Sequence, residues 1–209
     1  MSEALHITEQ TFTNDITSEQ VLHALRSEGA IWLKGFVSPD DQAAIVEEVL
    51  SHELTEVDRT NHRIREQFKD VDWKFEETPP LSKILGQRIV QLVQPAVRAW
   101  EVNHVRAQLY SPGEVGIEWH YDYKRDLRVV AVASFLGPAL FQAKLDSGQV
   151  DWQLQPGDLT LMRGALLNGN IDDRPHHRVE APLSGQRLSI AYREFTEIVP
   201  ELEPRNVTS

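Results

Sequence analysis

Up to about residue 101 the apolar positions recur with a helical period; from residue 103 onward they fall into short alternating runs separated by turn residues. "TSEQVLHALRSEG" predicts a helix with Thr17 or Ser18 as N-cap and Gly29 as its stop. "AIWLKGF" reads as a strand, and "SPDDQAAIVEEVLSHE" predicts a helix capped by Ser38, with Pro39 in its first position. "PLSKILGQRIVQLVQPAVRAW" predicts a long amphipathic helix bent at Pro95. The intervening "TEVDRTNHRIREQFKDVDWKFEETPP" shows no clear period. Eight strands are expected after it, at 103–111, 115–122, 127–136, 138–144, 149–154, 158–163, 175–180 and 186–195. Breaks such as "SPG", "LGP", "DSG" and "QPGD" separate them. The expected fold is α+β with a mainly β core: a double-stranded β-helix, or jelly roll, with N-terminal helices packed on its outside. One domain is expected over 1–209, with a helical elaboration at 1–102, a core at 103–195 and a tail at 196–209.

Composition narrows the chemistry. The 209 residues are 41% hydrophobic and 25% charged, ordinary for a globular chain. With no Cys, disulfides, thiolate metal sites and cysteine nucleophiles are excluded, so any metal must be held by His and carboxylates. "MSEALHITEQ" has neither the basic nor the apolar region of a secretory signal, no apolar run is long enough to span a membrane, and a cytoplasmic location is expected. The net charge of −11 is uneven: residues 1–102 carry 10 basic against 18 acidic side chains, a difference of −8. No basic stripe is visible, which disfavours nucleic acid as a partner.

Alternation then raises a question about faces. In "RLSIAYR", Arg187, Ser189, Ala191 and Arg193 share one face, and Leu188, Ile190 and Tyr192 the other. In "HVRAQLY" the polar set is His104, Arg106 and Gln108, with Tyr110 beside them. Such rows either meet solvent or line a lumen, and alternation alone leaves both readings open. "HYD" sets His120 and Asp122 two apart, on one face of the expected strand. With 8 His and 13 Asp, chance yields 8 × 13/209, about 0.5 such pairs, so the pair alone proves nothing. If His177 joins it, the three form a two-histidine, one-carboxylate set with open positions, which suits non-haem Fe(II). A planar guanidinium such as Arg187 clamps a carboxylate through two hydrogen bonds.

On these residues the chain resembles the 2-oxoglutarate/Fe(II)-dependent dioxygenases, closest to their AlkB-like branch. "QLYSPG" is similar to the family's Asn-x-Tyr-x-Pro-Gly strand, with Gln108 in place of Asn. "HYDYKRDLR" resembles its His-x-Asp motif with a downstream Asp-Leu-Arg, and "RLSIAYR" its Arg-x5-Arg signature. The resemblance implies Fe(II) bound by His120, Asp122 and His177. It also implies 2-oxoglutarate held at its distal carboxylate by Arg187, with Tyr110, Gln108 and Ser189 assisting and Arg193 near its metal end. His176 is the alternative ligand, but the His-Arg-Val context and the ten-residue step to Arg187 match the family at His177. O₂ is the further co-substrate, and oxidation of a substrate C–H bond releases succinate and CO₂. Because Asp122 keeps a carboxylate in the ligand set, hydroxylation or demethylation is implied rather than halogenation.

The substrate is less legible. The acidity favours a small molecule. The AlkB-like motifs and a candidate lid at 55–79 favour the alternative, oxidative demethylation of alkylated nucleobases, with Arg59, Arg63, Arg65 and Lys69 as phosphate contacts. Six acids oppose these: Glu56, Asp58, Glu66, Asp70, Asp72 and Glu76. Trp73 and Phe75 are candidate substrate contacts, or else a strand edge packed on the core; Arg128 stands with them as a candidate. Trp119 and Tyr121 are expected to pack away from the ligands, and Asp158 to serve a turn. A non-catalytic jelly-roll binding protein is the third reading.

Overall fold

The computed structural model describes residues 16–60, 65–112, 116–169, 171–182 and 184–204. Three helices form where the pattern predicts them. In α1 (Ser18–Ser27), Thr17 and Gln20 exchange side chain-to-backbone hydrogen bonds in a capping box. In α2 (Pro39–Leu50), the Ser38 hydroxyl accepts from the Asp41 amide at 3.2 Å. The third, α3 (Pro80–Val93), has no cap of its own. Glu48 of α2 supplies one, accepting from the Leu81 and Ser82 amides at 2.7 and 2.9 Å, which ties the two helices together. The expected bend at Pro95 is instead an end: α3 stops at Val93, because Pro95 has no N–H to continue the ladder.

All eight expected strands appear: β4 (His104–Tyr110), β5 (Ile117–His120), β6 (Asp126–Leu136), β7 (Ala139–Leu145), β8 (Gly148–Leu154), β9 (Leu159–Arg163), β11 (His176–Val179) and β12 (Arg187–Phe195). "AIWLKGF" supplies β1 (Ala30–Leu33). The segment without a clear period is a hairpin, β2 (Thr55–Thr60) and β3 (Arg65–Lys74), and β3 pairs along β4 from Lys69–Leu109 to Lys74–His104. A parallel pair of two-residue strands, β10 (Ile171–Asp172) and β13 (Glu203–Pro204), lies beside the main sheet.

The main sheet runs β1-β9-β6-β12-β4-β3 and then β5-β11-β7-β8, with β2 on β3. Among the described residues, the ladder link between the halves is a single register pair, Glu66 opposite Ile117. There the sheet turns over, so that residues of both halves line one cavity. At the far edges Trp32 of β1 meets Trp152 of β8, ring centroids 5.9 Å apart. This is the jelly roll expected from the sequence.

Two apolar cores follow from the alternation. Val105, Ala107, Leu109, Leu188, Ile190 and Tyr192 face the helices and pack with Leu25, Leu85 and Ile89. Val130, Phe141, Ala143, Leu154 and Met162 form a smaller core between the two halves. Trp73 and Phe75 pack against the helix-side core. The Trp73 ring meets His52 edge-on at 5.6 Å, and the Lys83 ammonium lies 5.7 Å from the Phe75 ring. Asp158 serves its turn, accepting from Gln155 N and Gly35 N at 2.8 Å and from Trp32 Nε1 at 2.9 Å. Among the described residues, no helix is long and apolar enough to cross a membrane.

Gly86 shows how tightly the helices sit. A Cβ there would lie 2.8 Å from the Phe75 ring and 2.9 Å from the Tyr192 ring, whose hydroxyl is fixed by a 2.8 Å hydrogen bond to Ser82 O. In a free helix Gly→Ala gains about 1 kcal/mol, whereas overpacking a core costs about 1–3 kcal/mol. Gly86→Ala is therefore expected to lower the urea midpoint, with a net loss of up to about 2 kcal/mol; a raised midpoint would show that the rings yield.

Candidate functional site

Three ligand-capable side chains converge on the minor half of the sheet. The antiparallel β5–β11 register sets His120 directly opposite His177, with ring centroids 4.3 Å apart. His177 Nε2 lies 3.9 Å from Asp122 Oδ2, and one ligand atom from each of His120, Asp122 and His177 falls within 4.8 Å of the others. The close strand approach has a local requirement at Gly116, where a Cβ would stand 2.1 Å from Val179 O. Asp122 is not on the strand as expected. β5 ends at His120, and the carboxylate comes from the turn that follows.

Both imidazoles are oriented through Nδ1. His120 Nδ1 donates to Glu118 O at 2.7 Å, and His177 Nδ1 to Pro175 O at 3.0 Å. A carbonyl only accepts, so Nδ1 carries the proton and Nε2 is the nitrogen left to offer a lone pair. Burial, and then the neighbouring His177, push His120 down to about 4, keeping it neutral. Burial pushes Asp122 up, but the basic groups that face it, His177, Arg193, His120 and Arg174, outweigh it and hold its carboxyl below the usual range. Two neutral nitrogens and one anionic oxygen are the donor set of a divalent-metal site with open positions. His176, the alternative, faces outward, its ring stacked on Tyr121 at 4.6 Å.

The polar row of β12 faces the cavity rather than solvent. Arg187, Ser189, Ala191 and Arg193 line it, with Arg106, Gln108 and Tyr110 of β4 beside them. In register, Arg187 opposes Tyr110 and Ser189 opposes Gln108. Arg187 is only 3% exposed. Its Nη2 reaches Ser134 Oγ at 3.4 Å, its guanidinium lies 5.3 Å from the Tyr110 ring centre, and its Nε has no partner. Among the described residues no carboxylate pairs with it. Burial pushes Arg187 below its ordinary value, and Tyr110 is what opposes the shift. Arg193 Nε, likewise without a hydrogen-bond partner, lies 3.9 Å from Asp126 Oδ2. Val132, Phe141, Leu154, Met162 and Val179 supply the apolar wall.

Other residues fall elsewhere. Trp73, on the face of β3 that meets the helices, and Phe75, in the short 3-10 turn after it, sit in the helix-side layer and are not among the residues that line the cavity. Arg128 pairs with Glu194 and is also not among the lining residues. His104 turns to Asp72 at 3.2 Å. His62 and Arg63 lie outside the described residues. Trp119 packs outward, between the charges of Lys144 and Arg178. Tyr121 behaves differently from expectation: besides stacking on His176 it reaches the cavity rim, as do Tyr123 and Glu66. Alternation places Tyr121 opposite the ligands only while the strand continues, and β5 has already ended.

No family model matches the sequence, and no curated protein matches it. Solved structures do share the fold. A prolyl-4-hydroxylase from Pseudomonas putida is 17% identical, with a TM-score of 0.66 over 85% of this chain and 98% of that one. A Trichoplax adhaerens prolyl hydroxylase, in complex with a hypoxia-inducible-factor peptide, is 17% identical, with a TM-score of 0.66 over 86% and 89%. The alpha-ketoglutarate-dependent epimerase SnoN of nogalamycin biosynthesis is 16% identical, with a TM-score of 0.64 over 84% and 80%. The shared architecture is the jelly roll on which these non-haem oxygenases are built.

The cradle geometry predicts which histidine matters. His120→Ala, Asp122→Ala or His177→Ala should abolish Fe(II) binding in anaerobic calorimetry, while His176→Ala should leave it largely intact. Full binding by His177→Ala would refute the cradle.

Proposed function

We propose that the protein is an Fe(II)- and 2-oxoglutarate-dependent oxygenase that hydroxylates a C–H bond of a small molecule. One observation carries the reading: a single cavity holds both a two-histidine, one-carboxylate cradle and a buried guanidinium that no carboxylate among the described residues neutralises. The first fits Fe(II); the second fits the far carboxylate of a dicarboxylate. Bound Fe(II) would supply the activation of O₂ that couples loss of CO₂ from 2-oxoglutarate, leaving succinate, to oxidation of the substrate.

The chain's own residues divide the remaining work. Neutral His120 and His177 give nitrogen lone pairs, and Asp122 gives a permanent anionic oxygen, so its place is not left to a halide. Arg187 holds the distal carboxylate of 2-oxoglutarate, with the Tyr110 hydroxyl and Ser134 fixing the guanidinium. Burial pushes the Tyr110 phenol up to about 12, so it stays a neutral donor. Gln108 and Ser189, opposite one another in register, give polar contacts along the molecule, and Arg193 stands toward its metal end. The apolar wall of Val132, Phe141, Leu154, Met162 and Val179 excludes water from the centre.

The AlkB-like nucleobase demethylase gains no support from the hairpin that was to serve it. β3 is integral to the sheet, and Asp70 and Asp72 on it are engaged with Arg106, which lines the cavity.

Succinate release from 2-oxoglutarate with Fe(II) tests the class, and its absence across a broad substrate panel would leave the non-catalytic binding protein. Losing one partner of a buried guanidinium–carboxylate pair costs about 3–5 kcal/mol. Arg187→Ala should therefore raise the apparent constant for 2-oxoglutarate at least about a hundredfold, at 1.4 kcal/mol per factor of ten, with Fe(II) affinity nearly unchanged. Arg187→Lys should recover part of the loss, since a point charge cannot make two parallel hydrogen bonds. An unchanged constant in Arg187→Ala, with affinity lost in Arg193→Ala, would exchange the two roles.

A further inference from the structure

The two histidines of the cradle are held by a ladder; Asp122 is not. Past the end of β5, the Asp122 carbonyl oxygen accepts from Arg174 Nη1, and the next residue is tied by Tyr123 N donating to Asp126 Oδ2 at 3.2 Å. The Arg174 guanidinium is itself fixed. Its Nε and Nη2 donate to the two oxygens of Asp172 at 2.7 and 2.8 Å, and it lies 5.6 Å from the ring centre of Tyr121. Its side chain is 7% exposed. Asp172 belongs to β10, which is paired with β13 near the end of the described chain. Between Asp172 and Arg174, Asp173 is clamped by buried Arg163, whose Nε and Nη2 donate to Asp173 O at 2.9 and 2.6 Å. Pro175, the following residue, accepts the Nδ1 proton of His177.

We propose that Arg174, oriented by Asp172, is the positioning residue of the carboxylate ligand. It pins the Tyr121–Asp122 turn to the segment that also aims His177, so that Asp122 and the distal histidine move as one unit. The physical reason is geometric. A turn residue without ladder bonds samples several backbone conformations, and a ligand that samples them binds metal less tightly. A bidentate guanidinium–carboxylate pair is rigid enough to remove that freedom. Arg174 does not touch the metal position; it acts through the Asp122 backbone.

This inference rests on the reading of His120, Asp122 and His177 as metal ligands, and one experiment separates the two. Fe(II) affinity is measured anaerobically by calorimetry, and the visible spectrum of the Co(II)-loaded protein reports ligand geometry, for wild type, Arg174→Ala, Arg174→Lys and Asp172→Asn, with Arg178→Ala as control. Arg174→Ala should bind Fe(II) about 10–100-fold more weakly, the usual effect of removing a partner that orients a ligand, and should shift the Co(II) spectrum. Arg174→Lys should recover part of the affinity, and Arg178→Ala should match wild type. Asp172→Asn keeps the guanidinium but loosens it, and should lose less than Arg174→Ala; it carries the test if Arg174→Ala does not fold. A lowered melting temperature with unchanged Fe(II) affinity and Co(II) spectrum in both Arg174→Ala and Asp172→Asn would overturn the proposal, because Arg174 would then be a structural clamp only. Absence of metal binding in wild type would instead overturn the cradle itself.

Discussion

Every residue of β12 from Arg187 to Glu194 is buried, so the strand must satisfy two environments at once. Its period of two resolves the conflict: Leu188, Ile190 and Tyr192 enter the helix-side core, and Arg187, Ser189 and Arg193 enter the cavity. A one-residue slip would drive two guanidinium groups into the helix layer and three large apolar side chains into the lumen. The register on both sides is correspondingly continuous, from Arg187–Tyr110 to Arg193–His104 with β4 and from Arg187–Leu136 to Arg193–Val130 with β6. The same constraint creates the site. A buried cation must be compensated, and Ser134 and Tyr110 offer Arg187 dipoles rather than a charge. That deficit is what an anionic ligand would remove.

The minor half works by a different device. Its cradle depends on a cross-strand histidine pair and on carbonyl acceptors two residues before each ring, Glu118 for His120 and Pro175 for His177. These short-range bonds set the tautomer before any ligand arrives, so little reorganisation is needed on binding. Among the described residues the two halves share one backbone register pair, Glu66–Ile117, and elsewhere side chains hold them, at the Trp32–Trp152 contact and where Arg163 clamps Asp173. The relative position of cradle and guanidinium therefore rests on the packing of Phe141, Leu154 and Met162 between them.

What could be read in the sequence was whatever had a strong period or a strong stop. The caps at Thr17 and Ser38 and the eight strands of the second half are of this kind, whereas the convergence of His120, Asp122 and His177 was implied only by the family resemblance. The β2–β3 hairpin was not legible because its faces are not cleanly apolar and polar. Phe68 and Asp70 are buried on one face of β3, where Asp70 is satisfied by Arg106, while Val71 and Trp73 are partly buried on the other. Charge that is paired across strands hides a strand from any hydrophobic pattern. The Asp122 turn failed to show for the opposite reason: alternation was extended two residues past the point where the ladder ends.

These two departures bear on the same surface. Glu66, Ile117, Tyr121 and Tyr123 lie where β3 meets β5 and where β5 gives way to its turn, and all four line the cavity. Tyr121 and Tyr123 are 53% and 55% exposed. The co-substrate arm is locked by a strand buried on both faces, and the cradle by paired histidines; neither can vary without loss of the fold or the ligand set. The rim has no such obligation, since its residues are half-exposed and sit at a seam and a turn. Selection for one substrate over another can act there at least structural cost. The part of the molecule hardest to read from period and spacing is thus the part of the cavity with the fewest structural obligations.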